Sequence, residues 1–155
     1  MDKIDLKILD LLQKDASLST AQIAEEIELS QSPCWRRIQR LQQEGYIAET
    51  VALLDRKSLG LNVQVFAHVK LDAHGRKSLP DFARRIEQFP EVLECYVLMG
   101  EVDFMLRIVT RDVEAYEKFF FEHLSQLPQV REVNSMIALS AIKRTTQLPL
   151  AQVRL

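Results

Sequence analysis

Apolar positions near the start of the chain repeat at helical spacing. Ile4, Ile8, Leu11 and Leu12 share one face and predict a first helix over about residues 3–14. Asp15, Ala16 and Ser17 break it. Ser19 or Thr20 can cap a second helix that holds Ile23, Ala24 and Ile27. Residues 28–30 form a tight turn, and a third helix follows. Ser32 precedes Pro33, and a residue before proline is pushed out of the α region. Ser32 is therefore expected as N-cap and Pro33 as the first helical residue. Gly45 is the expected stop, because glycine accepts the left-handed conformation that ends a helix. Three short helices with a turn of about three residues before the last follow the helix-turn-helix plan.

Beyond Gly45 the pattern changes. Residues 46–48 and 50–53 read as extended, consistent with a small wing or a linker strand. Residues 55–60 are a short polar connector. The expected division is a helix-turn-helix unit over residues 1–54, the connector, and a second domain over residues 61–155 that includes a C-terminal tail.

The second domain contains a repeat. Gln88, Phe89, Pro90, Glu91 and Val92 line up with Gln126, Leu127, Pro128, Gln129 and Val130 at an offset of 38 residues. At the same offset Phe82 meets Phe120, Ile86 meets Leu124, and the strand-like stretch 65–71 falls opposite 103–109. Each copy reads strand, helix, proline-containing turn, strand. Two such halves in series give four antiparallel strands with two helices on one face. The predicted fold class is α+β: an N-terminal winged helix-turn-helix followed by a ferredoxin-like βαββαβ (ACT-like) domain. Tyr116 and Phe120, at helical spacing, are expected in its core, with Phe119 and Phe121 to either side and available to cover a subunit contact. Val65, Ala67, Val97 and Met136 are expected to make the sheet's other face too apolar for water, and a dimer would cover it.

Composition narrows the class. At 155 residues, 47% apolar and 27% charged, the chain has the make-up of a soluble globular protein. Its net charge of −2 gives no global attraction to nucleic acid, so a DNA-binding surface must be local. No apolar run approaches the roughly 18 residues of a membrane-spanning helix. Acids interrupt the apolar pattern of the first residues, unlike a signal peptide. Cys34 and Cys95 sit on apolar faces far apart in sequence, Cys95 being expected in the core, and a reduced cytoplasmic protein is expected.

The third helix carries the candidate chemistry. At about 100° per residue, Cys34, Ile38 and Leu41 form one apolar stripe. Ser32, Arg36, Gln39 and Arg40 point roughly the opposite way, with Trp35 and Arg37 on the flanks. Residues 1–50 hold six Lys/Arg against nine Asp/Glu, yet residues 30–43 hold three arginines and no acid. Arginine pairs with guanine edges or phosphates, glutamine pairs with adenine, and a helix start offers N–H groups to phosphate. A solvated amphipathic helix explains the same residues without function. The preceding helix and turn favour the DNA reading, with Ser30, Ser32, Trp35, Arg36, Arg37, Gln39 and Arg40 as candidate contacts.

A second candidate is the turn at 100–103. Glycine and aspartate are common in plain hairpin turns. As a site, exposed amides beside Gly100 suit a carboxylate, while Glu101 and Asp103 suit an ammonium; a free amino acid presents both. Enzyme signatures are absent: His68, His74 and His123 lack metal-ligand spacing, and there is no Gly-rich phosphate loop, nucleophile elbow or paired-histidine helix. No cofactor or metal is expected, and the protein is read as not an enzyme.

The ordered set of SPCWRRIQRLQQEGYI, DRKSLG, a split βαβ domain, the Gly100, Glu101, Val102, Asp103 turn, Ile142, Lys143 and a terminal TTQLPL resembles the Lrp/AsnC family of leucine-responsive, or feast/famine, regulators. The resemblance covers nearly the whole chain. It implies an effector-binding second domain, a homodimer often assembled into an octamer around which DNA wraps, and a small amino acid such as leucine, methionine or cysteine bound between dimers. By position, Gly100, Glu101 and Asp103 match the effector turn, and Ser135 on the last strand lies where members contact the ligand. The implied function is a sequence-specific transcriptional regulator that binds an imperfect palindrome in double-stranded DNA and responds to that amino acid. The competing reading is an amino-acid-sensing module that regulates an enzyme by protein contact.

Overall fold

The structure, a computed structural model, describes residues 1–72 and 79–154. It divides into two compact units, residues 1–53 with 143–155, and residues 54–142.

The first unit packs helices α1 (Lys3–Lys14), α2 (Thr20–Glu26) and α3 (Gln31–Gln43) around Ile8, Ile23, Ala24, Ile27, Cys34, Ile38 and Leu41. Reciprocal capping boxes start the first two helices: Asp2 with Asp5, and Ser19 with Gln22. The turn from α2 to α3 is tied by Leu29 N–H to Ala24 O (2.9 Å) and Glu28 N–H to Glu25 O (3.2 Å), a Schellman pair. Glu28 takes φ 57° to allow it. The same pair ends α3, with Tyr46 N–H on Leu41 O and Gly45 N–H on Gln42 O, and Gly45 at φ 78° as expected.

Three details differ from expectation. The N-cap of α3 is Ser30 rather than Ser32, and it makes no side-chain cap bond. Pro33 therefore sits within the first turn. Its missing N–H costs little there, because the first four amides of a helix have no internal partner and no i−4 carbonyl clashes with the ring. Residues 46–53 form no strand, since an extended segment needs a ladder partner and they pair with none among the described residues. The tail, expected with the second domain, groups with the helices. The Gln13 side-chain amide acts as its partner, accepting Leu148 N–H (2.8 Å) and donating to Leu148 O (3.2 Å).

The second unit runs β1 (Val63–Leu71), α4 (Leu79–Ile86), β2 (Val92–Val97), β3 (Phe104–Thr110), α5 (Val113–Glu122), a single 3-10 turn (Leu124–Gln126) and β4 (Val130–Ile137). The strands form one antiparallel sheet in the order β2-β3-β1-β4, the ferredoxin-like arrangement. The connector before it is one helical turn, with Asp55 Oδ1 accepting Ser58 N–H and Leu61 N–H bonded to Arg56 O around Gly60.

Val65 and Ala67 are fully buried under the helices, not on the open face. Their neighbours Gln64, His68 and Lys70 are the polar parity of β1, and strand side chains alternate. The apolar part of the open face is instead two cross-strand pairs, Phe66 with Met136 and Met105 with Tyr96, with Arg107 beside Phe66 and His68 beside Met105. Phe119 is likewise core, stacked edge-on against Phe89 (5.4 Å), whereas Phe120 is partly buried and Phe121 exposed. Cys95, expected in the core, is exposed on the edge strand β2. His123 packs on the Phe89 and Phe119 rings, and His74 falls outside the described residues.

Candidate nucleic-acid interface and effector turn

Burial of Cys34, Ile38 and Leu41 fixes the rotation of α3. At about 100° per residue, the line opposite that stripe runs through Ser32, Arg36, Gln39 and Gln43. Ser32, Arg36 and Gln43 are exposed, and Gln39 is half-buried with its amide bonded to Gln42 (3.1 Å). Gln43 was missed by sequence reasoning. Counting two more helical steps beyond Arg36 would have found it. Ser30 is exposed at the helix start, and Trp35 is 53% exposed on one flank.

Arg37 and Arg40 turn to the other flank, where α1 begins. Arg37 Nη1 donates to Asp2 Oδ2 (2.7 Å) and Asp5 Oδ1 (2.8 Å), and Arg40 Nη2 donates to Asp5 Oδ2 (2.6 Å). Arg40 also lies 3.9 Å from Glu44. The Asp5 amide and the Arg37 guanidinium hold the Asp2 carboxyl down at about 2, and the two carboxylates raise Arg37 above its ordinary value. Arg36 makes no ion pair among the described residues. With Pro33, the three arginines line an open groove of about 360 Å³.

The effector turn joins β2 to β3. Gly100 has φ 154° and is exposed, as is Glu101. Asp103 is a clamp: its Oδ2 accepts Leu71 N–H (2.7 Å), its N–H donates to Val69 O and its carbonyl accepts Leu98 N–H (both 2.9 Å). Ser135 lies across the sheet on β4, level with Ala67, and its hydroxyl bonds the Tyr116 hydroxyl at 2.5 Å. Burial raises the Tyr116 phenol and the Ser135 bond partly offsets this. One chain does not bring Ser135 to the turn. Two strand spacings and three residues along the strand separate it from Asp103, roughly 14 Å.

A helix-turn-helix with an outward polar line, joined to a βαββαβ domain, defines a DNA-binding transcriptional regulator rather than an enzyme. The winged helix-turn-helix DNA-binding family model matches residues 1–48, and the Lrp/AsnC ligand binding domain model matches residues 64–148. The chain belongs to the Lrp/AsnC family. It is 36% identical over 150 residues to the DNA-binding transcriptional activator DecR of Escherichia coli, covering 97% of this chain and 99% of that protein. An AsnC family transcriptional regulator from Agrobacterium tumefaciens superposes with a TM-score of 0.92 at 40% identity, covering 97% of this chain and 98% of that one. A Neisseria meningitidis transcriptional regulator solved as a complex with L-methionine gives 0.93 at 36% identity and covers 97% of each chain.

Proposed function

We propose that the protein reads an imperfect palindrome as a homodimer through α3, and that a small amino acid changes its DNA affinity or its assembly. The observation that carries the DNA part is Arg36, an exposed guanidinium on the outward line of a helix whose other two arginines are engaged. Ser30 and Ser32 at the helix start are suited to phosphate, and Gln39 with Gln43 to base edges. Two-fold symmetry implies half-sites about one helical turn apart or a multiple of it. Cytoplasmic location follows from the DNA target. The family assignment favours this reading over regulation of an enzyme by contact.

The ligand domain match and the methionine complex of the Neisseria relative support an amino acid effector. Leucine, methionine and cysteine are the first candidates, with Gly100, Glu101, Asp103 and Ser135 as the site residues and dimers assembling to an octamer.

The test of the reading helix is Arg36→Ala. A duplex is first selected from a random pool by the unsubstituted protein. The variant is expected to lose about 1–3 kcal/mol of binding to it, while its melting temperature stays put because Arg36 holds nothing in place. Undiminished binding would mean that α3 is not the reader.

A further inference from the structure

The arginines of α3 divide into two groups, and α1 makes the division. Asp5 is 0% exposed, and a carboxylate buried without partners would be strongly destabilising. Arg37 satisfies Oδ1, while Arg40 and the Asp2 N–H (2.8 Å) satisfy Oδ2. Asp2 adds a second acceptor for Arg37. Two guanidiniums face two carboxylates, so this flank offers DNA little net charge. Arg36, beside it in sequence, stays unpaired among the described residues.

We propose that Asp5 is a positioning residue for DNA recognition. It locks Arg37 and Arg40 against α1, so that Arg36 alone meets the duplex with a mobile guanidinium and sequence-independent attraction to phosphate is held down. The inference rests on α3 being the DNA-reading helix. Its physical basis is counterion release: each cation that neutralises a phosphate adds about −0.9 to the slope of log K against log salt. A guanidinium already paired with a carboxylate adds that increment only by breaking its pair. Specificity is a difference between affinities, and withholding cations lowers the non-specific member of the difference.

Asp5→Asn tests this, because it keeps the volume and an acceptor and removes the charge. Binding would be measured through a salt series on two duplexes of equal length, one selected from a random pool by the unsubstituted protein and one of mixed sequence. The expected result is tighter mixed-sequence binding, a salt slope steeper by about 1–2, and a selected-to-mixed ratio lower by about tenfold. If Asp5→Asn fails to fold, Asp2→Asn carries the test. Asparagine still caps α1 and releases one partner of Arg37, so the slope should steepen by less than about 1. A lower melting temperature with slope and ratio unchanged would overturn the proposal and leave Asp5 a structural anion. If the unsubstituted protein selects no duplex, or Arg36→Ala binds the selected duplex undiminished, the reading helix itself is wrong and the proposal falls with it.

Discussion

The Asp5 amide and the Arg37 guanidinium each bond one oxygen of the Asp2 carboxylate. Protonation would remove the charge and turn one of those acceptors into a hydroxyl, which is why the carboxyl is lowered from 3.8 to about 2. A folded-state value below the unfolded one stabilises the fold above the unfolded value, and that contribution is lost as pH falls through the folded value. The first helix should therefore lose stability between about pH 4 and about pH 2. Helical circular dichroism through an acid titration checks it: Asp2→Asn should show a shallower decline than the unsubstituted protein over that window. Parallel curves would remove Asp2 from acid stability. At this scale the sequence was a partial guide. It grouped Arg40 with Arg36 on the outward face and set Arg37 on a flank, because the Asp5 that engages both Arg37 and Arg40 lies 32 and 35 residues away. An aspartate in the first turn of an amphipathic helix also looks solvent-facing until the neighbouring helix is packed against it.

The turn before α3 is built on a residue type that resists it. Glu28 occupies the left-handed region at φ 57° with exposed surroundings, and an L side chain there costs roughly 1–2 kcal/mol. Glycine removes that strain but adds about 0.5–1 kcal/mol of unfolded-chain entropy to overcome. Glu28→Gly should therefore raise stability by up to about 1 kcal/mol in thermal denaturation. A clear loss would mean that the glutamate side chain contributes a contact of its own. Helix stops were legible where glycine marks them, as at Gly45, and illegible at Glu28, where only the paired backbone bonds dictate the conformation. The internal repeat behaved similarly. Val92 and Val130 both begin strands, and Ile86 and Leu124 are both buried, as the offset of 38 predicts. The buried face of α5 is Tyr116 and Phe119, and Phe120, the counterpart of the fully buried Phe82, is only partly buried. On β1 the parity was readable from Gln64, His68 and Lys70. The apolar run of Val65, Phe66 and Ala67 offers both choices, and only the polar flanks decide between them.

An amino acid's carboxylate and ammonium lie within about one residue's length of each other, ~3.5 Å. Within one chain, Ser135 and Asp103 are separated by β1 and by several times that distance. A ligand that touches both must then draw them from different copies, and its binding is coupled to assembly. That coupling is reciprocal: an effector shifts the oligomer only as far as its affinity differs between the two states, and assembly shifts effector affinity by the same factor. In the proposed dimer, Phe66 and Met136 with Met105 and Tyr96 on the open sheet face would supply apolar surface for a first contact between copies. The effector would be identified by a thermal-shift panel of the common amino acids, since a ligand at about 100 times its Kd stabilises the native state by roughly 2.7 kcal/mol. Saturating effector should then change the sedimentation profile, and its apparent Kd should depend on protein concentration. Glu101→Ala, at an exposed position of the turn, should weaken both effects without unfolding the domain, whereas Asp103→Ala would also release Leu71 and confuse the two. An effector that binds with an unchanged sedimentation profile and a concentration-independent Kd would place its whole site within one chain and remove assembly from the response.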